Sequence, residues 1–168
     1  MQFPHRALFF ACVVIASTPL FASARSATNQ VSHHWVVNVS GRPMHCVALD
    51  GQRVLIELNP FMSDVGMASR FGGQPFIRIN PRILSQYSSA VSQWWFAHEC
   101  AHHMLQPDQN SEEAADCYGI RRLVSDGIIY HPRQLDAFAT ELRHLPGTDL
   151  GHLPGTLRAM NITRCAFS

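Results

Sequence analysis

Hydrophobic residues fall in short β-type runs through the first half of this chain and at helical spacing through the second. Residues 34–39 read as a strand. Residues 45–49 and 53–58 flank the Asp50-Gly51 dipeptide, which favours the positive φ angles of a tight hairpin turn. Across 59–73 the pattern breaks at Pro60 and at three glycines (Gly66, Gly72 and Gly73), predicting a loop. Residues 76–80 alternate and stop at Pro81, as a further strand would. From 83 to 105 the spacing turns helical, and Pro107 ends it. Asn110 with Glu113 three residues on matches a capping-box start for a second helix running to Gly127. Pro132 opens a third helix ending near Leu145, and a short terminal helix reaches Cys165 after a loop over 145–155. Strands before helices predict an α+β fold: a small N-terminal antiparallel sheet, a long helix, a second helix in a hairpin with it, and one or two C-terminal helices.

The N terminus says where such a domain would work. A basic start ending at Arg6, an almost unbroken apolar stretch over 7–21 and the Ala22-Ser23-Ala24 sequence describe a secretory signal peptide cut after Ala24. The stretch is shorter than the ~20 residues a membrane span needs. Residues 25–33, rich in Ser, Thr, Asn and Gln, read as a flexible leader, and 34–168 as a single domain. The expected location is secreted or periplasmic, with no stable membrane span after cleavage. A net charge of +1, with charged residues at 15% and no basic run, argues against a nucleic-acid partner. Cys46, Cys100, Cys117 and Cys165 remain after cleavage, and an even number in an exported chain predicts two disulfides.

The chemistry concentrates in His98-Glu99-Cys100-Ala101-His102, followed by Glu112 and Asp116. On a helix, positions i and i+4 lie one above the other, so His98 and His102 can meet one cation. Glu99, rotated by about 100°, can act as base toward a water beside the metal. As an accident of composition the motif would lie on an exposed face. Its flank Trp94-Trp95-Phe96-Ala97 instead implies burial, where ionised groups are costly unless paired or metal-bound. The short 106–110 linker folds the second helix back antiparallel, which puts Glu112 opposite His102 as third ligand. Asp116 shares the face of Glu112 and can accept the outer N–H of a liganding histidine. Three protein ligands and an open fourth position describe one catalytic Zn2+ per chain. Glu113 and His103 point about 100° away from the ligand faces, to capping and packing roles. Cys100 lies on the back of the first helix and Cys117 about 120° from the Glu112 face, so these two diverge. Of the pairings left, Cys46–Cys100, tying the sheet to the first helix, and Cys117–Cys165, anchoring the terminal helix, are favoured, with free buried thiols as the alternative.

His98-Glu99-x-x-His102 followed by Glu112-x-x-x-Asp116 resembles the gluzincin metallopeptidases of the HtpX and CAAX-prenyl-endopeptidase type. The resemblance covers roughly 76–124, and His152, Pro154 and Arg158 are similar to that family's His-Pro element with a later arginine. It implies a zincin-like fold and peptide-bond hydrolysis, with zinc held by His98, His102 and Glu112 and a peptide or protein as substrate. The family's transmembrane helices are missing here, and the linker between the two motifs is shorter. In related gluzincins a strand before the active-site helix pairs with extended substrate, and 76–80 holds that place. Glu99 would take a proton from water and pass it to the leaving amine. His152 and Arg158 are the candidate donors to a developing oxyanion, the plainer alternatives being a loop histidine and a helix-surface arginine. Two other functions share the same residues: a zinc-holding protein that binds a partner without cleaving it, and a zinc hydrolase of a non-peptide amide.

Overall fold

A computed structural model describes residues 31–148 and 151–168. The expected signal peptide (1–24) and the leader up to residue 30 lie outside the described residues. The strand expected at 34–39 is two strands in two sheets. β1 (Ser32–His34) starts inside the segment expected as leader, and β2 (Val37–Val39) follows a bend at Trp35 and Val36. β2 turns back onto β3 (Arg42–Met44) through Ser40 and Gly41, whose φ values of 49° and 86° suit a tight hairpin. The Asp50-Gly51 turn forms as expected, with Gly51 at φ 81° and the Gln52 N–H donating to Asp50 Oδ1 at 3.0 Å. Its arms meet at the Val47–Arg53 bridge, and the second arm runs on into β4 (Leu55–Leu58).

The main correction lies in 59–73. Its second part is not loop but β5 (Gly66–Phe71), which returns through Gly72 and Gly73 into β6 (Gln74–Ile79). Residues 66–71 contain no β-branched side chain, so pairing with β6 rather than intrinsic preference keeps them extended. The sheet order is β1-β4-β6-β5, with antiparallel pairs at both edges and a parallel β4–β6 pair between them. The segment expected to receive substrate, within β6, is therefore an interior strand with both sides taken. β5 is the edge.

Two backbone bonds fix the phase of that edge. The Asn59 N–H donates to Ile79 O at 2.8 Å, turning Ile79 toward β4, and the Asn80 N–H donates to Val65 O at 2.9 Å. In an antiparallel ladder, alternate residues face the partner. Gly66, Ala68 and Arg70 therefore turn their N–H and C=O groups away from β6, toward the open edge. The side-chain faces sort by the same alternation. Ile56, Ile77 and Ile79 are buried in the core, while Arg78 donates from Nε to Glu57 Oε1 (3.1 Å) on the other face.

The helix expected over 83–105 divides in two because two caps lie close together. Asn80 caps α1 (Pro81–Leu84), and Ser88 restarts the chain as α2 (Ser89–Met104) by accepting from the Val91 N–H. Residues 91–101 of α2 are all buried. The helix is the centre of the domain, packed against β2, β5 and β6 and against α3 (Glu112–Ser125) and α4 (Pro132–Leu142). Ser111, rather than Asn110, caps α3, and α4 stops short of Leu145. α5 (Gly155–Cys165) packs on α3 and α4. The architecture is α+β, as expected.

Both disulfides pair as expected, and Cys100 does not meet Cys117. Cys46–Cys100 ties the N-terminal hairpin to α2, and Cys117–Cys165 ties α5 to α3, with Cα separations of 5.7 and 5.6 Å. Among the described residues no helix is long and apolar enough to cross a membrane.

Gly119 sets the α2–α3 spacing. A Cβ there would lie 2.8 Å from the Trp94 ring and 3.4 Å from the His98 backbone nitrogen. That ring is fully buried, with Trp95 and Phe138 centroids 5.0 and 5.8 Å away. Gly119→Ala should therefore destabilise the fold by about 1–3 kcal/mol through overpacking. Chemical denaturation measures this, and an unchanged midpoint would show that the helices can separate freely.

Candidate metal centre

α2 stacks His98 over His102, and the short turn into α3 brings Glu112 across to both. His98 Nε2 lies 3.3 Å from His102 Nε2 and 3.3 Å from Glu112 Oε2, and His102 Nε2 lies 3.3 Å from Glu112 Oε1. Two imidazole nitrogens and a carboxylate match a zinc donor set. Their spacing is close to the ~3.3 Å edge of a tetrahedron built on bonds of ~2.0–2.1 Å. The three residues fit a metal ion.

Each donor is oriented from behind. Asn110 Oδ1 accepts from His102 Nδ1 (2.8 Å), and Asn110 Nδ2 donates to His102 O (3.1 Å). The second bond fixes the amide's orientation, so His102 Nδ1 carries a proton and Nε2 is the nitrogen turned to His98 and Glu112. Asp116 Oδ1, fully buried, lies 2.9 Å from His98 Nδ1, the position expected of it. Asp116 also accepts at its backbone oxygen from Trp94 Nε1 (3.2 Å).

Arg158 stands elsewhere than an oxyanion donor would. Its side chain is 1% exposed and donates to Glu112 Oε2 and Asp116 Oδ1, each at 3.0 Å. The guanidinium carbon lies 4.5 Å from the Trp95 ring centroid and 5.3 Å from that of Trp94. It is a buried counter-ion to the acids of α3, held on aromatic faces.

His152 does reach the cleft beside the candidate metal donors. Its Nε2 is 3.3 Å from Glu99 Oε1, and its Nδ1 is 3.1 Å from Asp64 Oδ2. Glu99 is 1% exposed, and neither carboxylate oxygen accepts a hydrogen bond. Both residues face a cleft of about 740 Å3 that also borders Gly66, Ala68, His102 and Glu112. His103, beside the ligands in sequence, is turned away and donates from Nε2 to Phe76 O (3.0 Å). Glu113 is exposed in the first turn of α3.

The local field follows from these pairs. Burial opposes ionisation of Glu112, but hydrogen bonds from His102 and His98 outweigh it and hold its pKa well below the usual carboxylate range. Burial alone would lower the His152 pKa. The hydrogen bond to Asp64 and the nearby Glu99 carboxylate prevail and push it up to about 9. Asp64 is lowered in turn, since the hydrogen bond from His152 outweighs its own burial. His103 is lowered, chiefly by burial.

The sequence reading missed Asp64, Asn110 and the β5 edge. Asp64 and β5 lie in the segment read as loop. Asn110 was legible as a polar residue in the short linker facing His102, but its pattern with Glu113 suggested a cap instead. No family model, characterised relative or solved structure matches this chain.

Two outcomes follow. The folded His152 pKa lies above its ordinary value of 6.5, so its contribution to stability is complete below about 6.5 and is lost as pH rises through about 9. Asp64→Asn should move that loss to lower pH, as read by NMR titration of the imidazole and by melting temperature against pH. An unmoved titration would exclude the pair as its cause. Arg158→Met would strand Glu112 and Asp116 without their cation, destabilising the fold by about 3–5 kcal/mol and weakening zinc affinity about 10–100-fold. Unfolding and competitive chelation measure the two effects separately, and wild-type values in both would contradict the counter-ion role.

Proposed function

We propose that this protein is an exported zinc-dependent metallopeptidase of the gluzincin type. The observation that carries the reading is that three metal donors, a buried unbonded carboxylate and a cationic histidine converge on one cleft bordered by an open strand edge. The local charge supports a divalent cation. Asp64, Glu99, Glu112 and Asp116 face His152 and Arg158, which leaves two carboxylates for a divalent ion to balance. The two disulfides suit an oxidising compartment.

His98, His102 and Glu112 would hold the zinc, which supplies Lewis acidity, polarising a carbonyl and acidifying water. Glu99 Oε2 or Oε1 takes the proton from the attacking water and returns it to the leaving amine. His152, cationic at neutral pH, donates from Nε2 to the oxyanion while Asp64 holds its other nitrogen. The outward N–H and C=O groups of Gly66, Ala68 and Arg70 would pair with an extended polypeptide, taking the place expected of β6. A peptide is favoured over another amide because this edge offers repeating main-chain bonds.

Glu99→Gln keeps the shape of the side chain but removes the base. We expect zinc bound at one per chain and cleavage of a peptide library reduced by about 10²–10⁴-fold. Cleavage at the wild-type rate would sink the mechanism. Zinc-loaded wild type that cuts no peptide would favour a binding protein or a hydrolase of another amide.

A further inference from the structure

Gly66 is a glycine for no backbone reason. It lies in an extended strand opposite Ile79 and is not among the glycines with positive φ. Any residue could adopt its conformation. What only glycine can do there is leave space: a Cβ would lie 2.8 Å from Glu99 Oε1, 2.9 Å from Cγ and 3.0 Å from Cδ. Glu99 can yield only at its carboxylate end, toward the cleft, since it is 1% exposed on a helix whose neighbouring residues are all buried. Its crowded oxygen, Oε1, is also the one 3.3 Å from His152 Nε2.

We infer that Gly66 is a positioning residue for Glu99, setting the height of the base beneath the strand that receives substrate. The inference rests on the peptidase reading and adds to it the distance between the base and the pairing edge. Gly66 stands at one end of the outward-facing backbone groups and also touches the base. Base and pairing edge therefore meet at a single residue without a side chain. Ala68, two residues on and facing the same side, shows that a methyl group fits elsewhere along this face. The restriction belongs to the position above Glu99.

A double-mutant cycle tests this without turnover. Gly66→Ala should lower the melting temperature of the metal-free protein. In a Glu99→Ala background, where the methyl group enters the space the carboxylate left, the same substitution should cause no loss. An equal loss in both backgrounds would overturn the inference, as would no loss in either. In the zinc-loaded protein, Gly66→Ala should keep its metal and lower kcat by about 10²-fold, the low end of what a displaced base costs, with KM within about twofold. Unchanged kcat would overturn it equally. If wild type cleaves nothing, the peptidase reading fails, while the melting cycle still decides whether Gly66 sets Glu99.

Discussion

Three carboxylates buried in one apolar interior, with a fourth, Glu112, at the edge of the cleft, are the constraint around which this protein is built. A buried carboxylate is tolerated only with a partner cation or hydrogen-bond donors. Arg158 serves Glu112 and Asp116, and His152 serves Asp64 and Glu99. Each cation comes from the C-terminal segment and each acid from earlier in the chain. The C-terminal helix and the loop before it are therefore not an appendage to the site but the source of its positive charge.

That dependence explains the bracing. α5 has to lie flat enough for Arg158 to pass beneath Trp95 to the acids of α3. Gly155 permits this, since a Cβ there would meet backbone oxygens of Leu142 and Leu145. Cys117–Cys165 then fixes the far end of α5 to the helix whose acids Arg158 serves. On the opposite side, Cys46–Cys100 and the Leu49 N–H donated to His103 O (2.8 Å) hold the N-terminal hairpin against α2, making it a wall of the cleft. Each disulfide thus braces one of the helices that carry the candidate metal donors, α2 through Cys100 and α3 through Cys117.

How much of this the sequence revealed depended on the range of the interactions. Spacing on one helix placed His98, Glu99 and His102, and a short turn placed Glu112 and Asp116, because helix geometry alone fixes those relations. Helix angles also excluded the Cys100–Cys117 pairing. The β5 edge was hidden because residues 66–71 contain no β-branched side chain and gain their conformation from β6. The role of Arg158 was hidden because nothing local to α5 distinguishes a helix-surface arginine from one buried beneath tryptophans. Asp64 gave no signal, since its partner lies 88 positions away.

The same long range bears on when the site can exist. His98 and His102 are neighbours in any helical state of α2, but Glu112 is held against them only with its partners around it. The Arg158–Asp116 bond closes 42 positions of chain and the His152–Asp64 bond 88. Contacts of such separation form only once most of the chain entropy has been lost. A partly folded chain would therefore offer two histidines without their acid, a poor site for a divalent ion. Any cation that binds the complete triad binds the native state over the unfolded one and stabilises it by linkage. Metal affinity and global stability are then coupled through Arg158 and α5, so a change far from the cleft can reach the metal without touching a ligand.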